Sequence, residues 1–301
     1  MAEIVELVSY PIKGCAGTSL RAAELTAAGL RHDRSFMVTD EAGVFRSQRR
    51  DPRLAVVRPT VTSATTLAVP SPDASTPVPD GSVDLASAPA PDRLTLEAPG
   101  IEPLTIDVDT EGARRDVTLF KNPFQGIDQG DEAAAWLSEV LGGASRLVRV
   151  PPEHDRVTDG ATPGTSGYAD STALMMVSRS SLDLLQEWLA KRDEAPLPMN
   201  RFRPNIVVDG WDEPHTEDRV RRVRAGDTLW GWSKPCIRCA VTTVDQAAGV
   251  KAGVEPLRTL ADYRRAESGG VAFGAKFAVL RGGRLKVGDS LVVEEWGPGA
   301  V

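Results

Sequence analysis

Two cysteines spaced as Cys-x-x-Cys, Cys236 and Cys239, are the sharpest chemical feature of the chain. A cysteine thiolate is a preferred ligand of soft transition metals, and the neighbouring Lys234 and Arg238 would supply positive charge for an anionic cofactor. Three other interpretations remain open from these residues alone. The pair could be half of a zinc site, which needs two more ligands, a dithiol redox pair, or two small buried side chains on a strand.

Two arginines in the segment RFRPN, residues 201–205, form a second candidate site. In an extended chain, residues two apart point to the same side, and Pro204 favours an extended conformation for Arg203. We therefore expect Arg201 and Arg203 to present their guanidinium groups together, as binding of a phosphate or another dense anion requires. Solvated charges at the entry of a strand are the alternative interpretation.

Three shorter segments carry weaker signals for anion or ligand binding. Lys13 stands beside Gly14 just after the first predicted strand, where an anion could approach the backbone closely. Arg34 ends the triplet His-Asp-Arg. The segment 168–172 precedes a predicted strand, and its side chains could orient a ligand or cap a turn. The polar side chains of that segment are Asp170, Ser171 and Thr172.

The composition limits the kind of protein that these residues serve. The net charge of −7 argues against a general nucleic-acid or anionic-membrane binder, because phosphate binding requires a clustered basic surface. Three cysteines do not suggest a disulfide framework and suit a reducing compartment. The first residues show no signal-peptide pattern, and no apolar run approaches the roughly 18 residues of a membrane span. We expect a cytoplasmic protein.

The elements that position these residues are mostly short strands separated by Gly, Pro and Asp, which predicts a mainly β fold with helices (α+β) and a barrel-like or sandwich core. Helices are predicted at residues 131–141, where Asp and Glu occupy the first turn, and at 180–191, with leucines at helical spacing. Residues 54–60 and 240–244 are predicted as strands.

Residues 63–99 interrupt this pattern with a composition rich in Pro, Ala, Ser and Asp. Such a segment cannot bury enough apolar surface to offset the entropy lost on ordering. We predict a flexible insertion at about 63–92 between two strands of one domain. A linker between separate domains is the alternative.

In their order along the chain, these motifs resemble those of MOSC proteins, a family named for the C-terminal domain of molybdenum cofactor sulfurase. The motifs are GLRHDR at 29–34, FRPN at 202–205, RC followed by TTVD at 238–245, EPL with TL and YR within 255–264, and VGD at 287–289. The architecture resembles most the mitochondrial amidoxime reducing component and its bacterial relatives. The resemblance implies an N-terminal β-barrel domain at 1–120 and a MOSC β-barrel domain at 121–297.

The resemblance also implies a molybdenum cofactor, molybdenum bound to molybdopterin, with Cys239 as the metal ligand and Cys236 as a neighbour that is not a ligand. Asp170 matches an acidic residue near the metal, and we expect it to shuttle a proton or orient the substrate. Arg201 lies where the family varies, and Ser35 replaces an expected aromatic residue. The residues that would hold the cofactor are Lys13, Arg34, Ser171, Thr172, Arg201, Arg203, Asn205, Arg238 and Cys239.

The activity implied by the resemblance is the reduction of small N-oxygenated compounds such as amidoximes, hydroxylamines and N-hydroxylated bases. No cysteine follows Cys239, so the four clustered cysteines of a plant-type ferredoxin domain are absent. We therefore expect electrons from a separate ferredoxin, flavodoxin or cytochrome b5-like protein. Two alternatives are a sulfur carrier or transferase for cofactor sulfuration, although nothing resembles a pyridoxal-phosphate desulfurase domain, and a non-enzymatic cofactor carrier.

Overall fold

The computed structural model of the chain describes residues 1–63, 91–299 and 301, and these residues form short strands with three α-helices. The mainly β fold with helices is thereby confirmed. The insertion predicted at about 63–92 lies, apart from its ends, outside the described residues.

The helices are α1 (Asp131–Leu141), α2 (Arg179–Ala190) and α3 (Leu257–Tyr263). The strands are β1 (Glu3–Ser9), β2 (Ile12–Lys13), β3 (Thr18–Leu20), β4 (Ala22–Thr26), β5 (Gly29–Leu30), β6 (Phe36–Thr39), β7 (Arg58–Thr62), β8 (Arg93–Ala98), β9 (Ile101–Asp107), β10 (Arg114–Leu119), β11 (Asn122–Asp128), β12 (Arg146–Arg149), β13 (Val157–Thr158), β14 (Gly164–Thr165), β15 (Leu174–Ser178), β16 (Ile206–Asp209), β17 (Val220–Ala225), β18 (Thr228–Arg238), β19 (Val244–Asp245), β20 (Val250–Lys251), β21 (Val271–Arg281), β22 (Gly283–Lys286) and β23 (Leu291–Trp296).

An eight-stranded sheet is the largest element of the fold, in the order β23-β17-β18-β21-β15-β16-β1-β3. Most pairs are antiparallel, whereas β15 and β16 run parallel. Among the described strands the order does not return on itself. Ile4, Leu7, Trp230 and Phe277 are fully or almost fully buried in its core. Because β1 pairs with β16, the N-terminal segment that carries Lys13 starts beside the strands of the C-terminal half.

A five-stranded sheet, in the order β10-β11-β12-β6-β2, is built from strands in the first half of the chain. Helix α1 begins at Asp131 and has acidic residues in its first turn. It ends at Leu141, and the next residue, Gly142, has a left-handed φ of 69°. Its buried face packs with Ile12, Phe36 and Leu54. The predicted boundaries of this helix are confirmed. The domain boundary at residue 120 stays a prediction, and that position lies in the turn between β10 and β11.

Helix α2 begins one residue before its predicted start, because Ser178 is the N-cap and its hydroxyl accepts a hydrogen bond from the Ser181 amide at 3.2 Å. Glu217, which is fully buried, accepts hydrogen bonds from both serine hydroxyls. Leu185 and Leu189 pack into a third core, which includes residues of α3 and β21. This core supports the strand that leads to Cys236.

Two strand predictions are wrong. Residues 52–56 form a 3-10 helix and β7 starts only at Arg58, because Pro52 at the first helical turn fixes φ and lacks an amide donor. Residues 240–243 also form a 3-10 helix. The hydroxyls of Thr242 and Thr243 donate to carbonyls three residues earlier, at 3.0 and 2.9 Å, and this local bonding competes with a strand ladder.

Candidate active site

A cleft of about 940 Å³, counting the space open to solvent, lies where loops of the N-terminal half meet the eight-stranded sheet. It gathers nine of the ten residues predicted for the site, which are far apart in the sequence. The nine are Lys13, Arg34, Asp170, Ser171, Thr172, Arg203, Asn205, Arg238 and Cys239. Arg201 does not line the cleft.

Cys239 follows the last residue of β18 and precedes the 3-10 helix at residues 240–243. Its backbone is extended, and its carbonyl accepts hydrogen bonds from both the amide and the hydroxyl of Thr242, at 3.1 and 3.0 Å. The thiol is free and half-buried in the cleft wall. The residue therefore has a fixed backbone and a side chain that a ligand can reach, as a metal ligand requires.

Arg34 and Arg203 both lie over the ring of Tyr10, with guanidinium carbons 4.4 and 4.3 Å from its centroid. Both arginines have left-handed φ values, 47° and 55°. The prediction that Arg201 and Arg203 share one side of an extended chain is therefore wrong. Pro204 disfavours the right-handed helical region for Arg203, and here the left-handed region is adopted. Arg201 lies in a 3-10 helix and faces Thr242 and Asp245 instead.

Asn205 ties this arginine pair to the sheet. Its Oδ1 accepts hydrogen bonds from Arg34 Nη1 at 3.0 Å and from the Met175 amide at 3.2 Å. Its Nδ2 donates to the Val8 carbonyl at 3.1 Å and to Asp33 Oδ1 at 2.9 Å. With only 1% of its surface exposed, Asn205 uses all of its hydrogen-bonding capacity inside the protein. It orients Arg34 from within and is a structural support of the cleft.

Arg238 points toward Cys236. Its Nη1 lies 2.7 Å from Cys236 Sγ and 3.2 Å from Met175 Sδ, and its Nη2 donates to the Phe202 carbonyl at 2.8 Å. Its Nε is buried without a partner among the described residues. Two sulfur atoms and a carbonyl thus hold the guanidinium in the cleft wall beside Cys239.

Lys13 and Asp170, which both line the cleft, form an ion pair. Burial lowers the pKa of Lys13, although Asp170 partly opposes this shift. Desolvation by the surrounding protein raises the pKa of Asp170, but the positive charges of Lys13, Lys276 and Arg34 together outweigh it and hold this pKa well below its ordinary value. Asp170 is therefore a carboxylate at neutral pH. Next to it, Lys276 donates to the Ser171 hydroxyl at 2.7 Å.

The cleft is strongly basic although the chain carries a net charge of −7. Of the described residues that line it, seven are basic and Asp170 is acidic. Arg203 bonds the Gln246 side chain, and neither Arg203 nor Arg238 forms an ion pair with a described residue. Burial lowers the pKa of Arg203, so an anionic ligand would compensate for its lost hydration. The seven basic residues are Lys13, Arg34, Arg46, Arg49, Arg203, Arg238 and Lys276.

Sequence reasoning missed one loop and one basic strand residue of the cleft. The loop at residues 45–49, FRSQR, lines it with an aromatic ring and two arginines, and Lys276 reaches it from β21. The basic composition of the loop was the only available signal. No sequence signal marked Lys276, because only the pairing of β15 with β21 brings it beside Ser171.

The positions of the cysteines bear on the other interpretations of Cys-x-x-Cys. Cys15 is buried in the core below the five-stranded sheet, where burial raises its pKa to about 12, whereas Cys236 belongs to a different core. In the described part of the chain, no three His, Cys, Asp or Glu side chains come together as a metal cluster. Cys239 opens a 3-10 turn rather than the α-helix typical of dithiol redox pairs.

Comparison with known proteins defines the class. The model of the MOSC domain matches residues 163–292, and that of the MOSC N-terminal beta barrel domain matches 1–88 and 81–144. The chain belongs to the MOSC family. It is 32% identical to mitochondrial amidoxime reducing component 2 of Rattus norvegicus over 302 residues, which cover 93% of this chain and 80% of that protein.

A second relative is molybdenum cofactor sulfurase of Danio rerio, 29% identical over 91% of this chain but only 32% of the sulfurase. A crystal structure of the YUAD protein of Bacillus subtilis matches 96% of this chain and 93% of that one, with 8% identity and a TM-score of 0.39, which adds nothing to the family assignment. Within the described residues, no helix combines the length and apolar character needed to cross a membrane.

The residues of the cleft fit a molybdenum cofactor. Two of its buried polar atoms, Thr172 Oγ1 and Arg238 Nε, have no hydrogen-bond partner among the described residues. Buried polar atoms are normally paired, so unpaired ones in a cleft wall are suited to a polar ligand. Together with the uncompensated cations and the accessible thiol, they match a ligand that combines a soft metal, a phosphate and a hydrogen-bonding ring.

Proposed function

We propose that the chain is a molybdenum-cofactor-dependent oxidoreductase that reduces N-oxygenated compounds. The observation that carries this proposal is the position of the Cys239 thiol within a cleft whose lining is basic in a chain of net negative charge. The similarity to amidoxime reducing components supports the reaction type.

The side chains of the cleft would divide into cofactor-binding and substrate-facing groups. Cys239 would be the protein ligand of molybdenum, and Arg34, Arg203 and Arg238 would bind the phosphate and the pterin edge. When bound, the cofactor would supply two-electron redox chemistry. Asp170, ionised and 60% exposed, suits acceptance of a hydrogen bond from substrate better than donation of a proton. Of the two roles expected for it, we retain orientation of the substrate.

The electrons for the reduction would come from a separate protein. The candidates are a ferredoxin, a flavodoxin or a cytochrome b5-like protein. The donor would have to approach the open side of the cleft, since electron transfer requires proximity to the cofactor. Reconstitution of turnover with each purified donor distinguishes them.

A second candidate function is sulfur transfer during cofactor maturation. The similarity to molybdenum cofactor sulfurase favours it, as does the position of a second thiol, Cys236, within 2.7 Å of the Arg238 guanidinium. Mass spectrometry of protein isolated without reductant would detect a persulfide on Cys236 or Cys239 if this function is correct.

The test of the reductase is an assay with a model N-hydroxylated base and an artificial electron donor, on protein made in a host that synthesises the cofactor. The Cys239→Ser variant should lose turnover while its circular dichroism spectrum stays unchanged. Retained turnover would contradict the assignment of the ligand. Tight molybdenum binding without any turnover in the unmutated protein would favour a cofactor carrier.

A further inference from the structure

A reciprocal pair of amide side chains joins two distant segments of the chain at the wall of the cleft. Gln48, which belongs to the loop at residues 45–49, donates through Nε2 to Gln246 Oε1 at 3.0 Å. Gln246 donates through its own Nε2 to Gln48 Oε1 at 2.9 Å. The two residues are 198 positions apart in the sequence. The pair therefore links the N-terminal half of the chain directly to the segment that follows Cys239.

Contacts at both ends of the pair determine how the two amides are oriented. Gln246 Oε1 also accepts a hydrogen bond from Arg203 Nη1 at 3.2 Å, and Gln246 Nε2 also donates to the Val244 carbonyl at 3.1 Å. At the other end, Gln48 Nε2 donates to the Gly14 carbonyl at 2.6 Å. A guanidinium only donates and a carbonyl only accepts, so turning over either amide would place like groups against each other. The pair thus has one self-consistent orientation.

The two ends of the pair lie on segments that supply cations to the cleft. Gly14 follows Lys13, and both residues line the cleft, as Arg203 does. The contact between Arg203 and the ring of Tyr10, at 4.3 Å, holds the guanidinium near the ring but favours no direction for its N–H groups. Among the side chains that the structure describes, Gln246 is the one that hydrogen-bonds this guanidinium. The amide pair therefore sets its direction.

A second cavity, behind this part of the cleft wall, makes that direction consequential. It encloses about 1180 Å³, counting the space open to solvent, and both Arg203 and Gln246 line it. Arg203 thus borders a cavity on either side. Without the hydrogen bond to Gln246, its guanidinium would have space to turn away from the cleft.

We infer that Gln48 and Gln246 act as one positioning unit, which directs the Arg203 guanidinium into the cleft and holds the loop at residues 45–49 and the Lys13–Gly14 segment beside it. The inference rests on the proposed function in one respect, that the cleft holds a molybdenum cofactor. Loss of either amide breaks the unit and weakens the hold of the cleft on the anionic part of that cofactor.

The test is a double-mutant cycle with cofactor release as the measured quantity. Gln48→Met and Gln246→Met keep the length of the side chain and remove the amide. The molybdenum that stays with the protein, measured after gel filtration at successive times, gives the half-time of release. We expect each single variant to shorten this half-time about five- to twenty-fold, the size of one hydrogen bond. The double variant should differ from the faster single variant by less than about two-fold, because the unit is already broken.

Gln129→Met is the matched control, because Gln129 is also a buried glutamine but lies outside the cleft. Its amide bonds the Asp109 amide, the Asp109 carbonyl and the Ile127 carbonyl, each at 3.0 Å. This variant should lower the melting temperature and change the half-time of release by less than about two-fold. Gln246→Glu replaces Gln246→Met if the latter does not fold. It keeps an acceptor for Arg203 but has no donor for Gln48, and it should also shorten the half-time.

Each outcome supports or overturns the positioning unit. An unchanged half-time in the folded Gln48 or Gln246 variants, or losses that multiply in the double variant, would overturn it. An equal loss in Gln129→Met would mean that release follows stability alone, and would overturn it as well. Unmutated protein that carries no molybdenum would overturn both this inference and the cofactor assignment. If release follows the prediction but no N-hydroxylated base is reduced, the reductase fails while the positioning unit stands.

Discussion

Replacement of Asn205 by alanine should lower the free energy of unfolding strongly, because this side chain is buried and fully hydrogen-bonded. The change removes four hydrogen bonds in a side chain that is 1% exposed. Those with the Val8 carbonyl and the Met175 amide are neutral and contribute about 1 kcal/mol each. Those with Arg34 and Asp33 are charge-assisted and contribute about 1.5–3 kcal/mol each. Because water can enter and replace some of these hydrogen bonds, we expect the free energy of unfolding to fall by about 3–5 kcal/mol.

Urea unfolding followed by tryptophan fluorescence measures this loss as a lower transition midpoint with an unchanged slope. Asn200→Ala is the matched control, because Asn200 is an exposed asparagine five residues before Asn205, in the 3-10 turn at residues 199–201. We expect the control to change stability by less than about 0.5 kcal/mol. A loss below about 1 kcal/mol for Asn205→Ala would refute the role of this residue as the support of the cleft.

Three further predictions test other parts of the fold. Arg264→Met leaves the buried carboxylate of Asp218 unpaired and should cost about 3–5 kcal/mol in chemical denaturation; a neutral effect would mean that Asp218 is protonated in the native state. Burial lowers the pKa of His215 to about 3, so the unfolded chain takes up the extra proton and stability falls as the pH drops from about 6.5 toward 3. In His215→Phe this fall should be shallower by up to about 1.4 kcal/mol per pH unit, and parallel curves would contradict the assignment. Gly167→Ala would place a Cβ 2.6 Å from the Arg34 carbonyl, so it should lower both the melting temperature and the molybdenum content of the purified protein; normal values of both would show that this close approach is unimportant.

Local sequence signals predicted the elements whose ends are defined locally. Helix α1 was placed correctly because acidic residues mark its start and Gly142 marks its end. The 3-10 turns at 52–56 and 240–243 were predicted as strands, because β-branched residues favour strands while local hydroxyl bonding is not visible in a composition pattern.

The site was predicted through motifs, and its geometry was not. The position of Arg203 depends on the ring of Tyr10, which lies 193 residues earlier in the chain. Arg201 carries the same charge two residues away and faces a different part of the protein. Lys276 reaches the cleft through the pairing of β15 with β21, and no local pattern marks it as part of a site.

The account depends most directly on a bond between Cys239 Sγ and molybdenum. X-ray absorption at the molybdenum edge, on cofactor-loaded protein, counts the sulfur atoms around the metal. Cys239→Ser should lose one sulfur from this shell or lose the metal altogether, whereas Cys236→Ser, the neighbouring thiol, should keep the full count. Identical spectra for the unmutated protein and Cys239→Ser would contradict the central claim.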